Sequence, residues 1–391
     1  MPHPYTETFK FHAELRGEPL VVVSKPGLAD GAALGDAAML SARLLEPGPA
    51  ERVLLLGCGH GALAVALARQ LPDGQLTLND PSLIALRMAA LTLAANGVAG
   101  ARVSEQVSHL PDEAGRYDRV VMLAPQSRAL GRRWLVEAHG LLRPGGTLNV
   151  AGATTSGVQS LISDAATLFG AAGLLGYGRS CRVSESLRAT PPPTPPPWAA
   201  EPGIAPGSWR SVRADLPDGP VELASLPGVF SYDKLDAGTA LLLQQRELGA
   251  GQRVLDAGCG YGVLGVAAAR AGAARVDMLD VSLLAITAAR ENIARLGLRN
   301  AEALPSDALE AVAGRTYELV LSNPPFHNGK AVDTAMTSAF IAQARALLVP
   351  GGRLALVANR FLPYERILAP HFARVEIVAT TSAYRVLVGV V

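Results

Sequence analysis

Residues Ser322-Asn323-Pro324-Pro325-Phe326-His327 follow the apolar run Leu319-Val320-Leu321. Read as a buried parallel strand ending in a polar, proline-stiffened loop, they put one carboxamide at the carboxyl edge of a sheet. Open α/β sheets take their ligands at that edge. The Asn323 side-chain oxygen and the Pro324 carbonyl are both acceptors for the hydrogens of an exocyclic amine. Together they orient its lone pair toward an electrophilic methyl group and favour the positive charge that develops on nitrogen. Phe326 can stack on the flat ring that carries the amine, with Pro325 as a further substrate contact. Asn-Pro-Pro is also good turn chemistry, so the stretch decides nothing alone.

A second constellation is Asp256-Ala257-Gly258-Cys259-Gly260-Tyr261-Gly262, at a strand-to-helix turn. Its glycines permit tight turning and close approach of a ligand. Gly260-Tyr261-Gly262-Val263-Leu264-Gly265 also spells the nicotinamide fingerprint GxGxxG, and a Gly-rich turn that merely packs helix on strand is the bland alternative. Three features favour S-adenosylmethionine. Asp256, two residues before Gly258, suits the cofactor's ammonium and would repel a pyrophosphate. Asp280 closes the next strand and can accept from both ribose hydroxyls, although a nicotinamide cofactor would use it too. The Asn-Pro-Pro-Phe stretch falls after the fourth strand, beside the Gly loop. Asp307, after the third strand, can accept from an adenine amino group or simply cap a surface helix.

The elements that must hold these residues alternate. From Arg253 the pattern reads strand (253–256), Gly loop, helix (263–271) and strand (275–279), then a helix capped by Ser282 and running through Arg295. Strand 318–321, a helix near 334–347 and strand 353–357 follow, and two β-rich runs, 373–380 and 384–391, close the chain. A helix over 235–248 with Leu241, Leu242 and Leu243 buried precedes them. Such alternation gives a doubly wound, mostly parallel sheet, and the tightly joined closing pair must be antiparallel.

The chain contains this plan twice, offset by about 200 residues. Val53 through Gly61 matches Val254 through Gly262, and Leu78-Asn79-Asp80 matches Met278-Leu279-Asp280. Tyr117 through Val121 matches Tyr317 through Leu321, and Pro144-Gly145-Gly146 matches Pro350-Gly351-Gly352. A period this long marks duplicated domains, since solenoid repeats run to about 50 residues at most. Between the copies, Pro191-Pro192-Pro193-Thr194-Pro195-Pro196-Pro197 favours polyproline II, as a spacer or a proline-recognition ligand. The expected domains are 1–189 and 208–391, joined by a linker over 190–207.

At 391 residues, with 49% apolar residues and a net charge of +1, the chain has ample core and no strongly basic character. It has no apolar run of about 18 residues and no signal-peptide pattern at its N-terminus. Three scattered cysteines suit neither a disulfide framework nor a four-cysteine zinc site. A cytoplasmic monomer, with no metal and no membrane partner, is the expectation.

With these residues in hand, the second half resembles the class I methyltransferases, and the whole chain resembles the ribosomal RNA small subunit (guanine-N2) methyltransferase C family. The likeness rests on Leu226 through Ser231, Leu235 through Gly238, Asp256 through Gly262 and Asn323 through His327. Val357 through Tyr364 and Tyr384-Arg385-Val386 extend it. The resemblance implies two tandem Rossmann-like domains, each a mostly parallel seven-stranded sheet with an antiparallel last strand. It implies methyl transfer from S-adenosylmethionine to the 2-amino group of a guanosine in 16S rRNA, free or in an assembled subunit. On the matching positions, Asp256, Gly258, Gly260 and Asp280 go to the cofactor and Asn323, Pro324 and Phe326 to the amine and base. Phe230 becomes a pocket wall or an ordinary core residue.

The first half departs from that pattern: Leu55 stands for Asp256, Leu123-Ala124-Pro125-Gln126 for Asn323 through Phe326, and Ala29 for Phe230. A catalytically silent copy, acting as scaffold or RNA-docking domain, is expected. The rival readings are methylation of large-subunit guanine N2, adenine N6 or a protein glutamine amide, a nicotinamide-dependent reductase, and a non-enzymatic RNA-binding assembly factor.

Overall fold

The computed structural model describes all of the chain except residues 1–4, 29–30, 106–112, 245–248, 325–326, 329–330 and 333. It divides into two units, Met1–Trp209 and Arg210–Val391.

In the first unit a hairpin of β1 (Phe9–Leu15) and β2 (Glu18–Ser24) leads to helix α1 (Asp36–Leu44). The chain then alternates through β3 (Arg52–Leu56), α2 (Ala62–Ala68), β4 (Gln75–Asn79), α3 (Leu83–Ala95) and β5 (Arg102–Ser104). It continues through β6 (Tyr117–Leu123), α4 (Arg128–Leu141), β7 (Leu142–Ala153) and α5 (Val158–Phe169) to a closing hairpin, β8 (Gly173–Gly178) and β9 (Cys181–Leu187). The sheet order is β5-β4-β3-β6-β7-β9-β8, with β9 antiparallel to both neighbours. Chain beyond β9 stays on this unit: Arg132 lies over the Trp198 ring at 4.9 Å, and buried Arg133 donates to the Gly203 carbonyl at 3.3 Å.

The second unit repeats the plan. Hairpin β10 (Arg210–Leu216) and β11 (Gly219–Ser225) precedes α6 (Ala237–Leu243), β12 (Arg253–Ala257), α7 (Val263–Arg270), β13 (Arg275–Asp280) and α8 (Leu283–Arg295). Then come β14 (Ala301–Pro305), β15 (Tyr317–Ser322), the two-residue strands β16 (His327–Asn328) and β17 (Ala331–Val332), and α9 (Thr334–Leu347). The chain ends with β18 (Leu348–Asn359), α10 (Tyr364–Leu368), β19 (Arg374–Thr380) and β20 (Tyr384–Val390). The order is β14-β13-β12-β15-β18-β20-β19, parallel through β18, with β20 antiparallel to both neighbours. Both sheets therefore have seven strands, as the resemblance implied.

Local chemistry accounts for the boundaries. Ser282 caps α8, its hydroxyl accepting from Ala285 N at 3.3 Å. Strand β18 is longer than expected because Pro350-Gly351-Gly352 forms an irregularity that the ladder absorbs between Tyr317 and Leu319. A Cβ on Gly352 would meet the Val349 carbonyl at 2.8 Å, so the kink admits only glycine. Helix α6 is shorter than the expected 235–248, whose last four residues lie outside those described; Leu242 and Leu243 are buried and Leu241 half-buried. No helix among the described residues is long and apolar enough to cross a membrane.

One polar clamp recurs in both units. Fully buried Asn292 on α8 accepts from Ala224 N at 2.6 Å and donates to the carbonyls of Ala224 and Tyr261 at 2.9 and 2.8 Å. It thereby ties the hairpin to the helix and to the Gly loop. In the first unit Thr92 does the same for Val23, accepting at 2.9 Å and donating at 3.2 Å. Asn292→Ala leaves several buried backbone groups unpaired and should cost about 2–3 kcal/mol, read as a lower denaturation midpoint of the full chain in urea. Wild-type stability would show that the clamp contributes nothing.

Candidate active site

The carboxyl ends of β13, β12 and β15 lie side by side, and a crevice opens there because the chain leaves β12 toward β13 and β14 on one side and returns from β14 to β15 on the other. After β12 the backbone turns through Gly258 and Gly260, both at positive φ (75° and 55°). Gly258 N and Cys259 N both donate to the Leu279 carbonyl at 2.8 Å, and this seats the loop on the end of β13. Gly262 starts α7 at φ 89°, and a Cβ there would lie 3.1 Å from Met278 Sδ and 3.2 Å from Ala289 Cβ. The glycines are thus needed for turning and for close packing of helix on strand.

Asp280 sits beneath this loop, its two oxygens accepting from Gly260 N at 2.9 Å and Ser282 N at 2.8 Å. Burial outweighs these bonds and raises its pKa. Each oxygen keeps further acceptor capacity, which suits a ribose diol. Asp256 is more extreme. It is fully buried, Oδ2 accepts from Gly265 N at 2.8 Å, and Oδ1 has no hydrogen-bond partner among the described residues. Burial first, and the Asp280 charge second, push its pKa up to about 7. An orphaned carboxylate oxygen beside the Gly loop is the group that a ligand's ammonium would satisfy, and it is hostile to a pyrophosphate. The residues therefore fit the S-adenosylmethionine that the sequence suggested. Asp307 follows β14 and is buried, before a short helical turn whose cap is Leu309, so it is no surface helix cap.

Asn323 leaves the end of β15, where the Ser322 hydroxyl donates to the Ala257 carbonyl at 2.8 Å and locks the two strand ends together. The Asn323 amide nitrogen donates to Asp236 Oδ2 at 3.0 Å and to Thr239 Oγ1 at 2.8 Å. Asp236 is the N-cap of α6 and also accepts from Thr239 N at 2.8 Å. Both amide hydrogens are used, so the oxygen Oδ1 is what remains to meet a donor. In the sequence Asp236 appears only within the Leu235–Gly238 stretch that carries the resemblance, with no role given to it, and Thr239 does not appear at all. The expected helix over 235–248 would enclose Asp236, whereas the structure makes it the cap of a helix that starts at Ala237, and nothing local tells that its carboxylate reaches an amide 87 residues away.

Pro324 is buried, while Pro325 and Phe326 lie outside the described residues. Phe230 is 64% exposed, which removes the reading of it as core. Its neighbour Val229 is buried, with Cγ1 3.9 Å from where a Cβ on Gly260 would stand. The loop carrying Phe230 therefore borders the Gly loop.

The first unit keeps the frame of this site but not all of its residues. Gly59 N and Ser82 N donate to Asp80 at 3.1 and 2.9 Å, as their counterparts do to Asp280. Burial lifts the Asp80 pKa to about 6. Leu55 is fully buried where Asp256 stands. A Cβ on Gly57 would meet the Leu123 carbonyl at 3.0 Å and the Trp134 ring at 3.5 Å, so backbone and indole crowd the loop. Ala29 lies outside the described residues.

Comparison with known proteins agrees with this fold. The family described as "Methyltransferase small domain" matches twice, over residues 20–174 and 220–388. A ribosomal RNA small subunit methyltransferase C of Chromohalobacter salexigens is 38% identical over 272 residues, 68% of this chain and 76% of that protein. The chain belongs to this family. The Shewanella halifaxensis member is 34% identical over 71% of the chain and 78% of its own length. Among solved structures, a T. thermophilus 16S rRNA N2 methyltransferase in complex with AdoMet and guanosine superposes with a TM-score of 0.79. It is 30% identical, and the match covers 98% of each chain.

For this methyltransferase the buried acid sets a pH signature. Because the folded state raises the Asp256 pKa from 3.8 to about 7, its contribution favours folding below about pH 4 and is lost as pH rises through 7. Asp256→Asn should therefore melt higher than wild type at pH 8 without ligand, with the gap closing toward pH 4. The same variant should bind S-adenosylmethionine about tenfold or more weakly, from loss of a charge-assisted contact. Differential scanning fluorimetry and isothermal titration check the two halves. Unchanged affinity would remove Asp256 from the cofactor site.

Proposed function

We propose that this chain transfers a methyl group from S-adenosylmethionine to the exocyclic N2 amine of a guanosine in small-subunit ribosomal RNA. The observation that carries the reading is the Asn323 carboxamide, its nitrogen held by Asp236 and Thr239 and its oxygen left at the sheet edge next to the Gly loop.

S-adenosylmethionine, when bound, supplies an electrophilic methyl group on a sulfonium. Asp256 takes the ammonium, Asp280 the ribose hydroxyls and Asp307 the adenine amino group, with Gly258 and Gly260 giving backbone approach. Asn323 Oδ1 and the Pro324 carbonyl accept the two hydrogens of the guanine amine, directing its lone pair away from them. As positive charge grows on that nitrogen, both acceptors interact with it more strongly than in the ground state, and this selective gain is what speeds transfer. The amine is weakly basic and keeps its protons until after attack, so no strong base is required. Phe326, Pro325 and Phe230 would enclose the base.

In the same proposal the first unit is a catalytically silent copy that serves as a scaffold or RNA-docking domain. Leu55 in place of the ammonium acceptor and Trp134 against Gly57 support that reading. The chain works in the cytoplasm as a monomer, without a metal.

The test is incubation with methyl-labelled S-adenosylmethionine and, separately, unmodified small-subunit rRNA, assembled small subunits and large-subunit rRNA, followed by nucleoside analysis. Label in N2-methylguanosine is the expected result; label in N6-methyladenosine, or none in RNA, would contradict it. Asn323→Ala should lower turnover by roughly two to three orders of magnitude with cofactor affinity nearly unchanged; a near wild-type rate would refute its role. Cofactor titration should saturate at one equivalent per chain, and two would overturn the silence of the first unit.

A further inference from the structure

The reacting edge carries a second set of exposed groups that the transfer chemistry does not use. Strand β18 runs beside β15, with Leu356 opposite Ser322, and ends at Asn359, whose partner across the ladder is Tyr384. Tyr384 lies against the helix cap that holds Asn323. A Cβ on Gly238 would meet its ring carbons at 3.1 and 3.2 Å and Asp236 Oδ2 at 3.0 Å. Just past Asn359 the backbone is fixed by Arg360 N donating to the Ala383 carbonyl at 2.7 Å. Leu362 and Tyr364 then plunge into the core, at 5% and 0% exposure. Between these anchors Phe361 is 65% exposed and the Arg360 side chain is exposed, with no ion pair among the described residues. A phenyl ring held in water by an anchored segment is displayed rather than loosely packed.

We propose that Phe361 and Arg360 form a docking surface for the single-stranded RNA flanking the target guanosine. Phe361 stacks on a neighbouring base and Arg360 pairs with a phosphate. This rests on the reading above that the substrate is a guanosine within rRNA. Three considerations favour RNA as the occupant. A base whose amine must reach Asn323 has to leave its stack, so its neighbours lose a stacking partner that an aromatic ring can replace. Aromatic face plus guanidinium is the pairing that single strands accept irrespective of sequence. At a net charge of +1 the chain cannot rely on bulk electrostatics to hold a polyanion, so local stacking and a single placed cation carry more of the binding.

The test measures initial rates of methyl transfer by the full-length protein as a function of unmodified small-subunit rRNA, at saturating S-adenosylmethionine, for wild type, Phe361→Ala, Phe361→Trp and Arg360→Ala. Phe361→Ala should raise the KM for RNA about tenfold, leave kcat within about threefold, and leave cofactor Kd unchanged; Phe361→Trp should restore the wild-type KM. Arg360→Ala should raise KM and flatten the slope of log KM against log salt by about one unit. Wild type that labels guanosine N2 while both alanine variants keep its RNA KM would overturn the docking surface alone. Wild type that binds cofactor yet labels no RNA would overturn the functional reading, and the docking surface with it.

Discussion

The structure of the site depends on one amide being unable to turn over. A carboxamide presents a donor or an acceptor according to a rotation of its outer torsion. Here the carboxylate of Asp236 can only accept and so takes the nitrogen, and the Thr239 hydroxyl, whose own hydrogen goes to Asp236 Oδ2 at 3.3 Å, accepts the second amide hydrogen. What lies around them serves that choice. Asp236 can make it only because it caps α6, and α6 is placed by Tyr384 against Gly238 and by two buried leucines. Asn323 can respond only because Ser322 is tied to the end of β12. The chemistry of the acceptor is therefore decided by a helix that precedes it by more than eighty residues in the chain.

The duplication separates contacts that both copies keep from those that only one copy has. Asp80 and Asp280 make the same pair of backbone contacts, so those contacts alone belong to the frame of the loop. Thr92 and Asn292 clamp the same hairpin in the two units. Asp256 has no such counterpart. It is an acid kept in a dry place with one oxygen unmatched, a destabilising arrangement at neutral pH that the first unit avoids with Leu55. Groups perturbed in this way cluster at functional sites.

Much of the frame was legible in the residues. The apolar runs of β12 and β15, the Ser282 cap and the closing pair before and after Thr381-Ser382-Ala383 fell where strand and helix chemistry put them. The irregularity in β18 was not, because Pro-Gly-Gly reads as a strand break although the ladder can bridge it. In the site, Asp256, Asp280 and Asn323 stand out by type and place, whereas Asp236 and Thr239 do not. Their significance lies in a contact between remote segments, and a one-dimensional pattern carries no sign of it. Phe230 could be read as core or wall from sequence, since only exposure separates the two.

The most direct test of this account leaves Asn323 untouched and removes what orients it. In the double variant Asp236→Ser, Thr239→Val, serine still caps α6 but its short side chain withdraws the acceptor, and valine removes the hydroxyl. Single-turnover methyl transfer, with S-adenosylmethionine and small-subunit rRNA both saturating, should fall about tenfold or more, while cofactor Kd and melting temperature stay near wild type. Transfer at the wild-type rate would show that the amide needs no such support, and the account of the site would be wrong.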